Sequence, residues 1–154
     1  MIVGVISDTH GLLRPEAVQA LHGSEHIIHA GDIGAQDIIP ALQEIAPVTA
    51  IRGNIDHELW TRQYQEIEVV ELAGAHLYVI HNVHDLDLNP QAGGFAAIIS
   101  GHSHRPSQKT KDGVLFFNPG SAGPRRFKLP ISIGRLQIMD GKIASEIIEL
   151  QISK

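Results

Sequence analysis

The sequence predicts an α/β fold: two mixed β-sheets packed face to face with helices on the outside, an α/β/β/α sandwich. Three observations predict it. Apolar, β-branched runs alternate with helix-like stretches through the first part of the chain, and strand-like runs joined by short turns fill the second. The length, 154 residues with 43% hydrophobic and 19% charged, gives a single domain spanning 1–154 enough core to fold alone.

Residues 2–6, IVGVI, have the composition of a strand buried on both faces. The run stops at SDTHG. Residues 15–22, PEAVQALH, predict a helix, with Pro15 at its first position, Ala17, Val18 and Leu21 on one face, and Gly23 at its end. HIIHA (26–30) repeats the strand, AGDIG supplies its loop, and 37–45 predicts a second helix carrying Ile38, Leu42 and Ile45. Pro40 requires either that this helix start late enough to hold it in the first turn, or that it kink there. PVTAIRG (47–53) reads as a third strand, running into GNIDH, so the repeated β-loop-α pattern favours a largely parallel sheet. From about residue 66, EIEVVEL, AHLYVIH, FAAIIS, GVLFFN, ISIGRLQIM and KIASEIIELQI predict mostly antiparallel strands. Ala73-Gly74 and Asp140-Gly141 are suitable hairpin turns.

Composition narrows the function classes. There is no cysteine, so disulfides, thiolate metal sites and a cysteine nucleophile are excluded, and a metal site must use nitrogen and oxygen. No segment approaches the ~20 apolar residues of a membrane span, and MIVGVISDTH meets Asp8 too early for a signal peptide, so the cytoplasm is the expected location and no membrane partner is expected. A formal charge of −5 with scattered cations argues against stable nucleic-acid binding. Nothing in the sequence identifies an oligomeric partner. Histidine is the unusual residue, with ten in the chain.

The polar residues follow the apolar runs. Asp8 and His10 follow the first strand, Asp32 the second and Asn54 the third; His81 ends AHLYVIH, and His102 and His104 follow FAAIIS. Strand carboxyl ends of open α/β sheets share one edge, where ligands bind, so these residues can meet in one cleft. Asp8/His10 and His102/His104 are i, i+2 pairs, which extended backbone would point to one side. Each short motif alone suits an ordinary turn; the ordered series does not.

That series, D-x-H (Asp8, His10), G-D (Gly31, Asp32), G-N (Gly53, Asn54), His81 and G-H-x-H (Gly101, His102, His104), resembles the calcineurin-like metallophosphoesterase superfamily. It is closest to the small bacterial and archaeal phosphodiesterase branch, and NPGSAGPRR (118–126) resembles the loop that follows there. The resemblance implies a hydrolase with a binuclear centre of two divalent metals. Asp8, His10, Asp32 and His104 would hold one; Asp32, Asn54, His81 and His102 would hold the other, with Asp32 bridging. Imidazole and carboxylate suit manganese, the leading candidate, or Ni, Co, Fe or Zn, better than Mg or Ca.

Such a pair, roughly 3.5–4 Å apart, generates a bridging hydroxide and clamps a phosphoryl group for in-line displacement, so no protein nucleophile is required. The expected substrate is a small phosphodiester. Asn54 and Arg126 are its candidate binding residues, since a guanidinium suits phosphate bidentately. Where many relatives have His after the G-N asparagine, this chain has Ile55, which leaves His57 as a candidate acid or water as the proton source. Where relatives often have His-Gly, it has His81-Asn82, with His84 as a fallback ligand. The resemblance also carries a rival, a protein-interaction scaffold with little or no catalysis, because a eukaryotic retromer subunit shares this type of fold. A nuclease acting on large nucleic acids is a third reading, disfavoured by the acidic charge. Outside the series, His29 reads as a core histidine or an orienter of Asp32, Trp60 and Tyr64 as sheet cover ahead of a lining for the substrate entrance, Asn118 as structural, and Ser103 as a residue without a role.

Overall fold

The computed structural model describes residues 1–152. In chain order the elements are β1 (Ile2–Ile6), α1 (Pro15–Leu21), β2 (His26–His29), α2 (Ile38–Gln43), β3 (Val48–Ala50), β4 (Ile67–Leu72), β5 (Ala75–Ile80), β6 (Ala97–Ile99), β7 (Ser107–Lys111), β8 (Val114–Asn118), β9 (Ser132–Met139) and β10 (Lys142–Glu149). They form two five-stranded sheets, ordered β10-β9-β1-β2-β3 and β4-β5-β6-β8-β7. This is the expected sandwich of mixed sheets.

In the first sheet β1, β2 and β3 run parallel, as their β-loop-α pattern predicts, β9 lies antiparallel beside β1, and β10 pairs antiparallel with β9. Both helices cover its outer face, where Ala17, Leu21, Ile38, Ile39 and Leu42 pack with Ile6, Ile27 and Ile133. Gly4 permits the close approach of α1, because a Cβ there would lie 2.5 Å from Leu21 Cδ2. Pro40 falls in the first turn of α2, where its missing N–H costs no intrahelical bond, so the helix starts late and needs no kink.

The second half departs from a mostly antiparallel arrangement. The outer pairs β4/β5 and β7/β8 are antiparallel hairpins, but β5, β6 and β8 run parallel through the middle of the second sheet. AII of β6 is buried throughout, the signature of a strand covered on both faces rather than of a one-sided hairpin strand. A loop containing a 3₁₀ turn, Val83–Asp85, covers the outer face in place of an α-helix, setting Val83, Leu86 and Phe95 on Tyr78, Ile80 and Ile98. Ala73-Gly74, Asp112-Gly113 and Asp140-Gly141 each have positive φ at both residues, the turn chemistry of two-residue hairpins. Among the described residues no helix is long and apolar enough to cross a membrane.

Between the sheets, Val3, Val5, Ile28 and Ile51 meet Leu77, Val79, Ile99 and Phe117. Phe117 is 1% exposed and its ring lies against Gly134 of β9, so it joins the sheets at their centre. Phe117→Ala is expected to cost about 3–5 kcal/mol of stability in urea unfolding. A loss below ~1 kcal/mol would show that the sheets do not depend on this contact.

Candidate metal centre

Parallel β1, β2 and β3 of one sheet and parallel β5, β6 and β8 of the other deliver their carboxyl ends to a common edge. Asp8 and His10, Asp32, Asn54, His81, and His102 with His104 all lie on the connections that leave those ends. Backbone bonds extend the pairing beyond the strands: Asp8 N–H donates to Gly31 C=O at 3.0 Å, His10 N–H to Asp32 C=O at 3.0 Å, and Gly101 N–H to His81 C=O at 2.9 Å. The loops are therefore held in register by the sheets that feed them.

The i, i+2 pairs are not extended. Asp8 (φ 56), His10 (φ 46), Asp32 (φ 56), His102 (φ 71) and His104 (φ 62) all occupy left-handed backbone. Non-glycine residues adopt it at a cost, and clusters of them occur at functional sites. The turns also separate the last pair: His104 lies against His10 with the rings tilted by 46° and centroids 5.3 Å apart, while His102 meets His81 edge-on at 5.2 Å. Extended backbone would have put both imidazoles on one side.

Asp8 is fully buried, and its two oxygens have different surroundings. Oδ2 accepts from Ser7 Oγ at 2.8 Å and from His102 N–H at 3.1 Å. Oδ1 has no hydrogen-bond partner and faces three imidazole Nε2 atoms, of His104 at 3.5 Å, His81 at 3.8 Å and His10 at 3.9 Å. Asp32 Oδ2 lies 3.3 Å from His81 Nε2 and 3.5 Å from His10 Nε2, while its Oδ1 accepts from Ile55 N–H at 3.1 Å. His81 Nδ1 donates to Ala30 C=O at 2.7 Å, which turns Nε2 toward the carboxylates. Asn54 closes the group, its amide 3.2 Å from His102 Nδ1; with its NH₂ turned inward it donates to Asp32, and the reverse rotation presents an oxygen ligand. Ligand atoms of Asp8, His10 and His104, and of Asp8, Asp32 and His81, fall into two groups compact enough to hold a cation. His10 Nε2 and His104 Nδ1 are also buried without partners, so this donor set fits divalent metal.

The electrostatics follow from burial and from these neighbours. Desolvation pushes the Asp8 carboxyl up to about 6, against the pull of His81 and Ser7. Asp32 is also desolvated, but its hydrogen bond to His81, the His81 charge and the Ile55 N–H outweigh that and hold it below the usual range. At His81 burial opposes protonation, and Asp32 and Asp8 overcome it, so the imidazole rises above its ordinary value. Burial lowers His10, and with Arg126 and His10 nearby it lowers His104 to about 4. Neutral imidazoles at His10 and His104 keep lone pairs for ligation near neutral pH.

Several supporting residues escaped the sequence reading. Asp56 is buried and accepts from Ile33, Gly34 and Gly53 N–H at 3.0, 3.1 and 2.8 Å, clamping the Asp32 loop to the Asn54 loop. Ser121 Oγ donates to Asp8 C=O at 3.0 Å. Asn118 Nδ2 donates to Gly101 C=O at 2.8 Å and to Ser103 Oγ at 3.1 Å, so Ser103 does have a part, as a brace of the His102–His104 turn. Gly101 leaves room for the centre: a Cβ there would collide with Ser7 Oγ and lie 2.7 Å from Asp8 Oδ2. His29 is a fully buried core histidine with both nitrogens paired, to Thr9 Oγ1 at 3.0 Å and Gly31 N–H at 3.1 Å. Trp60 and Tyr64 are cover, packed on the helical side of the first sheet.

Other expectations are revised. His81, not His84, joins the cluster; His84 is exposed on the 3₁₀ turn. Asn82 has φ −111, ordinary extended backbone, so this position does not require glycine. His57 is exposed and its side chain makes no hydrogen bond or ion pair with the cluster. Arg126 lines a hollow with His10 and His104, beside Arg125. Arg105 and Lys109 line a second hollow that reaches His102.

With this geometry in place, comparison with known proteins is decisive. Residues 1–141 match the sequence model of the calcineurin-like phosphoesterase superfamily domain. The chain belongs to that superfamily. A probable metallophosphoesterase of Methanothermobacter thermautotrophicus is 35% identical, covering 96% of this chain and 92% of its own. Among solved structures, an archaeal phosphodiesterase superposes with a TM-score of 0.79 at 24% identity, covering 96% of this chain and 100% of its own. Vps29 of Entamoeba histolytica, in complex with Zn²⁺, gives 0.74 at 21%, covering 98% and 99%. This metallophosphoesterase relationship makes the chain a hydrolase by family.

The buried histidines set a pH dependence for the metal-free protein. His29 is lowered to about 3 by burial, so below its ordinary value of 6.5 the unfolded chain takes up a proton that the folded one refuses. Its contribution is complete above pH 6.5 and lost as pH falls through about 3; His104 acts likewise down to about 4. Asp8 acts oppositely between 3.8 and about 6, where protonation relieves its burial. The raised His81 acts with Asp8 and the lowered His10 with His29 and His104; the two large imidazole shifts outweigh the rest, so the urea midpoint of chelator-stripped protein should fall between pH 7 and 4, and fall less in His29→Gln. A midpoint that rises toward pH 4 would contradict this balance.

Proposed function

We propose that the protein is a two-metal phosphodiesterase acting on small phosphodiesters. The observation that carries the proposal is the bare Oδ1 of buried Asp8, which makes no hydrogen bond and faces three imidazole Nε2 atoms at 3.5, 3.8 and 3.9 Å. Asp8, His10, Asp32 and His104 would hold one ion, and Asp32, Asn54, His81 and His102 the other, manganese being the leading choice among Mn, Ni, Co, Fe and Zn. Two such ions supply an activated water and a clamp on the phosphoryl oxygens.

The chain's own residues would do the rest. Asp32 lies between His10 and His81, which suits a carboxylate shared by both ions. Arg126, across a hollow from His10 and His104, can pair with a nonbridging phosphate oxygen. The relay from Ala30 C=O through His81 fixes that imidazole's tautomer, and Ser7 with the His102 N–H fixes the carboxylate of Asp8. No cluster residue offers a positioned acid, and His57 is exposed, so the reading favours leaving groups that water can protonate.

Likeness to Vps29 supports a second reading, a protein-interaction scaffold. The seven-residue donor set weighs against it, since docking alone places no demand on buried, unpaired ligand atoms. Stripped protein should regain hydrolysis of bis(p-nitrophenyl) phosphate when Mn, Ni, Co, Fe or Zn is returned. No turnover with any of them, and no metal retained by elemental analysis, would leave the scaffold reading. Asp32→Asn should lower metal affinity and kcat/KM by about 100-fold. Arg126→Ala should raise KM about tenfold with a smaller change in kcat, and an unchanged KM would remove Arg126 from the substrate site.

A further inference from the structure

Two hollows open side by side along the centre, and both are walled by Asn82 and His102. Their charge differs. The first, about 390 Å³, sets one arginine, Arg52, against two carboxylates, Glu66 and Asp85. That arginine is already engaged, with Nη2 3.5 Å from Glu66 and Nη1 donating to Tyr64 C=O at 2.8 Å. The second, about 360 Å³, carries Arg105 and Lys109 and no carboxylate. Among the described residues the ion pairs made by arginine or lysine are Arg52–Glu66 and Arg135–Glu146, so Arg105 and Lys109 have none. Phe116 gives this hollow an aromatic wall. Its volume falls within the range of small-molecule sites.

We infer that the Arg105–Lys109 hollow is the subsite for an ester arm bearing an anionic group of its own. The substrate class is then a phosphodiester with a further phosphate on a nucleoside-sized arm, whose flat ring lies on Phe116. This rests on the phosphodiesterase reading above. An anionic arm in the first hollow would meet Glu66 and Asp85; in the second it meets two cations with no competing partner. An uncharged arm suffers no such repulsion, so the pair of hollows can sort the two ends of an asymmetric diester on either side of His102. The brace from Asn118 to Ser103 holds the turn that carries Arg105.

The test compares thymidine 5′-(p-nitrophenyl phosphate) with the same compound carrying a 3′-phosphate, on the metal-loaded protein at low salt. Water adds to phosphorus and p-nitrophenol leaves in both, so the 3′-phosphate is the sole difference. It should lower KM about tenfold, and the advantage should fade at about 0.5 M salt. The Arg105→Gln/Lys109→Gln double variant should bring the two substrates within about twofold of each other. A calorimetric titration of metal-free protein with thymidine 3′,5′-bisphosphate supplies a readout independent of turnover, and the double variant should bind it at least about fivefold more weakly. Turnover of both substrates by the unaltered protein with equal KM overturns the subsite and leaves the phosphodiesterase reading intact. No turnover of either substrate, or of bis(p-nitrophenyl) phosphate, with any metal overturns both. A preference that survives the double variant and disappears in Arg52→Gln places the arm in the other hollow and also overturns the inference.

Discussion

A carboxylate buried with one satisfied oxygen and one bare one is the constraint on which this structure turns. Moving an ionised carboxyl out of water costs several kcal/mol unless charge and hydrogen bonds replace the solvent. Asp8 is placed there by a strand that leaves no alternative, since Ile6 and Ser7 before it are buried and its amide is pinned to Gly31. The surrounding sequence answers that placement. Ser7 and the His102 amide serve one oxygen, three imidazoles face the other, and Gly101 withholds a side chain where any Cβ would intrude. Bound cations would resolve the tension, which gives His10, His81, His102 and His104 a physical reason.

The architecture makes this convergence possible. Each sheet contributes a parallel set of three strands, so six carboxyl ends face one way without requiring long excursions of the loops. Strands that run against these sets are β4 and β7, at the two margins of one sheet, and β9 in the other, where β10 closes the margin running in the direction of β1. Asp56, Ser121 and Asn118 then tie neighbouring loops together through backbone groups, and His29 through the Thr9 hydroxyl. Left-handed turns at five of the seven cluster positions are affordable because those ties over-determine them.

Much of this was legible in the sequence because it depends on local pattern. Buried β-branched runs, helix punctuation at Pro15 and Gly23, and polar residues directly after strands are short-range signals, and the seven cluster residues were found from them. What was not legible depends on geometry. The parallel course of β5, β6 and β8 is set by long-range pairing, which FAAIIS hints at only through its lack of polar alternation. The split of His102 from His104 required the positive φ values, which no spacing rule supplies for histidine. Asp56 carried a weak signal in GNID, an aspartate three residues beyond a glycine whose amide it accepts. Ser121 and Asn118 act on backbone atoms 113 and 17 residues away, a kind of partnership that residue type does not announce.

The cluster draws Asp8, His10, Asp32 and Asn54 from one sheet and His81, His102 and His104 from the other. Each of the two proposed cations would take ligands from both sheets and would therefore be a rivet through the sandwich. Sliding or parting the sheets would have to break ligand bonds before it exposed any core, so the loaded protein should open slowly even where its equilibrium stability is ordinary. Metal supply would then govern how long each molecule lasts against heat and proteolysis, as well as whether it turns over substrate.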